Sequence, residues 1–263
     1  MNKIGFIGLG NMGSAILQGL LQQNYKKENF GFISSTSSSI QIYQEKYNIK
    51  GFNDINELIK YSDILIFAVK PYQLDNVLSK ITENMNNKLL ISVIAGNDYN
   101  TFESKLTSIT KQQNLKHIST IPNTAVSISK GIFVCENTHS FNDNDIKIFN
   151  NIFSKIALIE YVDSNLLSIS GTMIGCSPAF VYLFIEALSD ACVKYGIKRE
   201  ISYKLISKMI EGAAALQNET NIHPAILKDN ICSPKGTTIK GIVTLEQNNF
   251  RGSIIKAIEA IEN

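Results

Sequence analysis

Short apolar runs alternate with amphipathic stretches through the first 162 residues. Lys3–Ile7, Gly31–Ile33, Ile64–Val69, Leu89–Ala95, His117–Ile121, Gly131–Cys135 and Ala157–Val162 read as strands. These runs are continuous rather than alternating, as strands covered on both faces of a parallel sheet must be. Between the earlier strands, apolar positions recur at helical spacing over Asn11–Gln23, Ser38–Tyr47, Ile55–Tyr61, Tyr72–Met85 and Tyr99–Thr110. Strand and helix in alternation imply an α/β domain with a doubly wound sheet.

After Val162 the strand pattern stops, and residues 164–195, 200–219, 223–231 and 249–262 read as helices. In "PAFVYLFIEALSDACVKYG", Val181, Phe184, Ile185, Leu188 and Cys192 keep helical spacing, yet the helix is apolar on more than one face. A surface helix would show one apolar stripe, so burial between subunits fits better. Pro178 should start or kink a helix here. The expected organisation is a dinucleotide-binding domain over 1–162, followed by an all-helical dimerisation and substrate-binding domain over 163–263.

Composition narrows the classes. The 263 residues are 44% hydrophobic and 18% charged, ordinary for a folded domain or two. A net charge of +2 without a dense basic stripe argues against nucleic acid as partner. Cys135, Cys176, Cys192 and Cys232 are far apart and no His stands at ligand spacing, so buried free thiols and no metal are expected. The N-terminus lacks the plan of a signal peptide, and "ILIFAV" and "LLISVIA" are too short to cross a bilayer. These features point to a cytoplasmic protein with no membrane partner.

The candidate chemistry begins at "IGFIGLGNMGSAI", where Gly8, Gly10 and Gly13 form a GxGxxG after a strand-like run. Met12, Ile16 and Leu20 follow at helical spacing. That context makes it a Rossmann fingerprint, with small residues where backbone approaches a pyrophosphate and a helix N-terminus facing the anion. Gly8, Gly10, Asn11, Met12 and Gly13 are the expected phosphate contacts; a tight βα turn without a ligand is the alternative. NAD readers carry an acid at the tip of the second strand, but "GFISSTSSS" has none. Ser34, Ser35 and Thr36 can donate to a 2′-phosphate, so NADPH is favoured and NADH is the alternative. An ordinary polar loop would also read this way.

Strand ends in such sheets line the ligand. "AVKP" brings Ala68, Val69, Lys70 and Pro71 to the cofactor, and "SVIAG" brings Ala95 and Gly96. Lys70 can serve as general acid, phosphate contact or turn residue. Asn123, in "IPNT", can face the nicotinamide or cap a turn.

The C-terminal segment "HPAILKDNICSPKGTTIKGIVTLEQNNFRGSIIKAIEA" resembles the pyrroline-5-carboxylate reductase family. Members show His-Pro, Leu-Lys-Asp, Ser-Pro-Gly-Gly-Thr-Thr-Ile and Gly-Phe-Arg. Here these stand as His223-Pro224, Leu227-Lys228-Asp229, Ser233-Pro234-Lys235-Gly236-Thr237-Thr238-Ile239 and Asn249-Phe250-Arg251. "GFIGLGNMGSAI", "AVKP", "PNT" and "GCSPAFVYLFIEAL" are further landmarks, so the resemblance runs the length of the chain. Departures fall at Ser177 and Lys235, where the family has Gly, and at Thr120, which stands just before "IPN" where the family often has Arg. Asn221-Ile222 stands where members carry a Glu.

The resemblance implies NAD(P)H-dependent reduction of L-1-pyrroline-5-carboxylate to L-proline, the last step of proline biosynthesis. It implies that Gly236, Thr237 and Ser233 hold the substrate carboxylate, that Asn221 joins the substrate set, and that Thr238 bonds the ring nitrogen as the catalytic group. It also implies a homodimer, with a ring of dimers as the larger assembly, and a substrate loop meeting the cofactor near a subunit interface. From the residues alone, Thr238 could equally be a helix N-cap. In this loop Gly236 is expected to take any positive φ, leaving Lys235 pointing to solvent. Rival readings are a reductase of a related cyclic imine and a non-catalytic nucleotide-binding paralogue.

Overall fold

The computed structural model describes residues 2–262. The chain divides into two compact units, one ending at Gly175 and the other beginning at Cys176.

The first unit is built on one sheet of eight strands. In chain order they are β1 (Ile4–Ile7), β2 (Phe30–Ile33), β3 (Lys50–Gly51), β4 (Ile64–Phe67), β5 (Leu89–Ser92), β6 (Lys116–Pro122), β7 (Gly131–Glu136) and β8 (Ala157–Val162). Their spatial order is β3-β2-β1-β4-β5-β6-β7-β8. The order reverses direction at β1, so β1 and β4 flank the switch point where such sheets take ligands. The connecting helices are α1 (Asn11–Gln22), α2 (Ser37–Tyr47), α3 (Ile55–Tyr61), α4 (Leu74–Leu78), α5 (Tyr99–Thr110) and α6 (Asp143–Phe153); α7 (Leu167–Gly175) closes the unit.

The continuous apolar runs have the predicted cause. On β4, Ile64 and Ile66 enter one core with Phe6, Ile16, Leu20, Phe30, Phe133 and Phe149. Leu65 and Phe67 enter a second core with Leu58, Leu90, Phe102 and Leu106 on the other face. Successive side chains point to opposite faces, so both must be apolar.

Four differences from the sequence reading have physical reasons. Tyr72–Met85 is not one helix: it makes a 3-10 turn at Pro71–Gln73 and then only α4. Asn56 Oδ1 accepts from Thr82 N at 2.8 Å and Glu83 N at 2.9 Å, which holds the later residues as a loop. The two-residue β3 is too short to show in a pattern. Helix α6 was not expected, although Asn142 and Asp145 form a reciprocal capping box at its start. The sheet is not wholly parallel, since β6 and β7 pair antiparallel. Only a 3-10 turn, Thr124–Ile128, lies between them, and a parallel crossover needs about a dozen residues or more.

The second unit is all helical: α8 (Ser177–Lys194), α9 (Arg199–Thr220), α10 (Pro224–Ile231), α11 (Thr237–Gln247) and α12 (Phe250–Glu262). Pro178 stands in the first turn of α8, where its missing N–H costs nothing. The fully buried hydroxyls of Ser189 and Ser202 pair at 2.5 Å between α8 and α9, and Arg199 Nη1 donates to Ser189 at 2.9 Å. Apart from these contacts the unit is poorly covered. Tyr182, Leu183, Leu205, Leu216, Ile231 and Ile255 are all exposed. The stretch Ser164–Lys194 is long and apolar enough to cross a membrane by length and composition. It is broken, however, at Cys176 between α7 and α8.

Candidate active site

The first unit presents an uncapped helix start at its switch point. Gly8 has φ 91°, and a Cβ there would lie 2.9 Å from Val69 Cγ1, so both angle and space require glycine. At Gly13 a Cβ would come within 2.6 Å of the Gly8 carbonyl oxygen, which is the close helix–strand approach the fingerprint implies. Gly10 caps α1 without any side-chain bond. The first helical bond runs from Ser14 N to Gly10 O at 2.9 Å. The N–H groups of Asn11, Met12 and Gly13 therefore precede the ladder, and no acidic residue stands in the first turn. That arrangement favours an anion.

The neighbouring strand ends add to it. Ala68 continues β4 by donating its N–H to Ile7 O at 2.9 Å, and half-buried Val69 lies against Gly8. Lys70 is exposed, and its N–H donates to Gln73 Oε1 at 3.1 Å across the turn begun by Pro71. Ala95 and Gly96, beyond β5, are exposed, with Gly96 at φ 71°. Asn123 Oδ1 accepts from Ile132 N at 3.2 Å, so this oxygen secures the β6–β7 link and Nδ2 is left for a ligand.

At the tip of β2 the hydroxyls form a network. Thr36 N-caps α2, accepting from Ser39 N at 3.2 Å, while Ser39 Oγ donates to Ser34 Oγ at 2.9 Å. Ser35 is exposed and stands outside that network. The polar loop is thus a helix cap, and the cap holds the remaining hydroxyls at a helix N-terminus free of acids.

A cleft of about 300 Å³ that the sequence did not reveal borders the start of α1, lined by Gly10, Asn11, Ser14, Tyr47, Thr124 and Ser127 among others. Burial pushes the Tyr47 phenol up, but hydrogen bonds from the Ser14, Gln18 and Lys46 side chains outweigh it and leave the group below its usual value. Only the fold brings these segments together, so no local pattern could have shown the cleft.

In the second unit, residues 233–239 form a turn entering α11. Ser233 O accepts from Gly236 N at 3.0 Å, with Pro234 and Lys235 between them. Lys235 has φ 60°, whereas Gly236 has φ −70° and ψ 173°. This corrects the expectation that Gly236 absorbs the unusual angle. Gly236 is the N-cap of α11, and caps take extended backbone. The reason for glycine at 236 is space: a Cβ would lie 2.4 Å from Ser233 Oγ. A Pro followed by a residue of positive φ has the form of a type II turn, so Lys235 occupies the glycine place.

No side chain caps α11, and the N–H groups of Thr237, Thr238 and Ile239 precede its ladder. Thr238, second in the helix, is exposed, so the cap that a Thr could have supplied is Gly236 instead. Asn221 ends α9 in the left-handed conformation, φ 53°.

Comparison with known proteins places both units. Residues 164–263 match a family described as pyrroline-5-carboxylate reductase dimerisation, and residues 3–96 match one described as coenzyme F420-dependent NADP oxidoreductase. A pyrroline-5-carboxylate reductase of Treponema pallidum is 33% identical over 98% of both chains. One from Methanosarcina acetivorans is 34% identical over 97% of this chain and 94% of its own. The solved Plasmodium falciparum pyrroline carboxylate reductase, with NADP bound, is 34% identical over 98% of this chain and 95% of its own, with a TM-score of 0.84.

Proposed function

The chain belongs to the pyrroline-5-carboxylate reductase family, and from that premise we propose that it reduces L-1-pyrroline-5-carboxylate to L-proline with NADPH as donor. The observation that carries the reading is a pair of uncapped helix starts. One lies on a dinucleotide fingerprint at Gly8–Gly13, and the other follows Ser233–Gly236. NADPH and an imino acid are both anionic, and each finds free N–H groups at a positive helix end.

The bound nicotinamide supplies hydride for the imine carbon. The chain's part is to bind, orient and handle one proton. The amides of Asn11, Met12 and Gly13 suit the pyrophosphate, and Gly8 and Gly10 let it approach. Ser34 and Ser35 face the 2′-phosphate side, and Ala68, Val69, Lys70, Pro71, Ala95, Gly96 and Asn123 line the remainder. On the substrate side, Ser233, Gly236 and Thr237 hold the carboxylate, with Asn221 at the rim. The free hydroxyl of Thr238 bonds the ring nitrogen and keeps its proton in place as the C=N bond becomes C–N. A protonated imine is already electrophilic, so no strong acid is required.

The family match to a dimerisation model makes the chain self-associating. We take the functional halves as 1–162 and 163–263, the working unit as a homodimer capable of forming a ring, and the compartment as the cytoplasm. Oxidation of NADPH on adding pyrroline-5-carboxylate, with proline as product, tests the function. NADPH turnover only with a six-membered cyclic imino acid would move the substrate and keep the enzyme class.

A further inference from the structure

The first turn of α5 begins three residues after the cofactor-lining Gly96, across Asn97 and the N-cap Asp98, and it is held from another strand by a carboxylate. Glu136, the last residue of β7, is fully buried, and its Oε2 accepts the backbone N–H of Tyr99 at 2.6 Å. Tyr99 is the first residue of α5, so this N–H is one of the donors that a helix leaves unmet. Asp98, the N-cap, satisfies Thr101 N at 2.8 Å, and Glu136 takes the donor that Asp98 does not. No acidic residue of α5 lies in its own first turn, so β7 supplies a second negative charge to that helix end.

The arrangement is costly. Among the described residues, Glu136 Oε1 is buried without a hydrogen-bond partner, as is Oδ1 of Asn97, the next residue after Gly96. A fold needing only a capped helix could use a neutral, fully paired side chain here. The neighbouring contacts of this turn come from β6: the Tyr99 ring stacks on His117 at 4.3 Å, and Glu103 Oε2 lies 2.6 Å from His117 Nε2. Those contacts hold α5 by its side chains, whereas Glu136 holds the backbone at the junction with the loop.

We propose that Glu136 is a positioning residue for the cofactor. Its charge on Tyr99 N–H fixes the start of α5, and through it the Ala95–Gly96 turn against which NADPH lies. This rests on the functional reading above, in which that turn lines the cofactor site.

The test is NADPH affinity, measured by direct titration, alongside steady-state kinetics. Glu136→Gln keeps the shape and removes the charge; a lost charge-assisted bond corresponds to about tenfold weaker NADPH binding. The KM for imine should be unchanged and kcat should stay within about threefold, since no group near the reacting atoms is altered. A second pair isolates the route. Tyr99→Ala and Tyr99→Pro both lose the ring, but only Pro loses the N–H, at a helix position where Pro is tolerated. Glu136→Gln should weaken NADPH binding in the Tyr99→Ala background and have no further effect in the Tyr99→Pro background. Unchanged NADPH affinity in Glu136→Gln, an equal loss in both backgrounds, or a parallel fall in kcat and both affinities would overturn the proposal. Wild-type protein that binds no NADPH would overturn the functional reading itself, which separates the two failures.

Discussion

Lys235 takes a backbone angle that suits glycine, φ 60°. A Cβ makes that region costly for most residues, so Lys235→Gly removes strain while leaving the turn intact. Lys235 is exposed. Its ammonium therefore acts on an anionic substrate through solvent, and salt screens such an action. The expected outcome is a kcat within a few-fold of wild type and a rise in imine KM that shrinks as ionic strength increases; a large salt-insensitive loss would show direct pairing. Thr238 has the opposite profile, a hydroxyl left free by the uncapped start of α11. Thr238→Ala should lose a hydrogen bond to a charged group, roughly 1.5–3 kcal/mol or about ten- to a hundred-fold in kcat/KM, with NADPH affinity kept. Thr238→Ser should retain much of the activity, and an Ala variant equal to wild type would assign the residue no catalytic part. Ser35 stands outside the hydroxyl network of the α2 cap, so Ser35→Asp should leave the cap intact while repelling a 2′-phosphate. The ratio of kcat/KM for NADPH over NADH should fall. The sequence showed which residue types gather at these loops. It did not show which residue of Lys235-Gly236 takes the positive angle, because that depends on Gly236 serving as the extended N-cap of α11 while Lys235 completes the turn before it.

At the scale of elements, the strands were legible because burial on both faces leaves an uninterrupted apolar run, as on β1 and β4. Partner-dependent features were not. The antiparallel β6–β7 pairing depends on a short connection, and the early end of α4 depends on Asn56 reaching across to Thr82 and Glu83. The contact of α5 with β6 is likewise invisible along the chain, and it makes a pH prediction. Burial drives the His117 imidazole below its usual 6.5, and the Glu103 carboxylate at Nε2 offsets only part of that. The groups facing it are Glu103, the Tyr99 ring and the Phe102 ring. As pH falls through about 6.5, the unfolded chain takes a proton here that the folded chain refuses. Stability therefore holds above that value and declines below it, until the folded imidazole is itself protonated. Thermal midpoints recorded from pH 8 to 5 should show this decline. His117→Asn, though less stable throughout, should show a shallower slope; equal slopes would remove His117 as the source.

For the whole molecule, the apolar surface of the helical unit calls for a cover. Val181, Tyr182, Leu183 and Phe184 are consecutive on α8 and 41, 66, 66 and 38% exposed, so they point around the helix rather than along one stripe. Exposed Leu205, Met209, Leu216, Val243 and Ile255 on α9, α11 and α12 extend the same character beyond one element. Two environments could cover such a surface, lipid or another copy of the chain. Lipid fits poorly with Glu186, Asp190 and Lys194 on α8 itself, since charges in a spanning helix are expensive. A second copy fits both the apolar residues and the match of 164–263 to a dimerisation family. A stable interface between copies buries about 1,200–2,000 Å² or more, far beyond a single side chain, so a single charge at its centre should be disruptive rather than fatal to the fold. Wild-type protein should therefore scatter light as a multiple of the 29.2 kDa chain in detergent-free buffer. Leu183→Glu and Tyr182→Glu should shift that mass toward a single chain while keeping helical content and NADPH affinity. If wild type is already a single chain at micromolar concentration, or needs detergent to stay in solution, the cover is not another copy. Should the charged variants become single chains and lose imine reduction while still binding NADPH, the assembly itself would be needed for catalysis, because a copy alone would then hold its cofactor and reduce nothing.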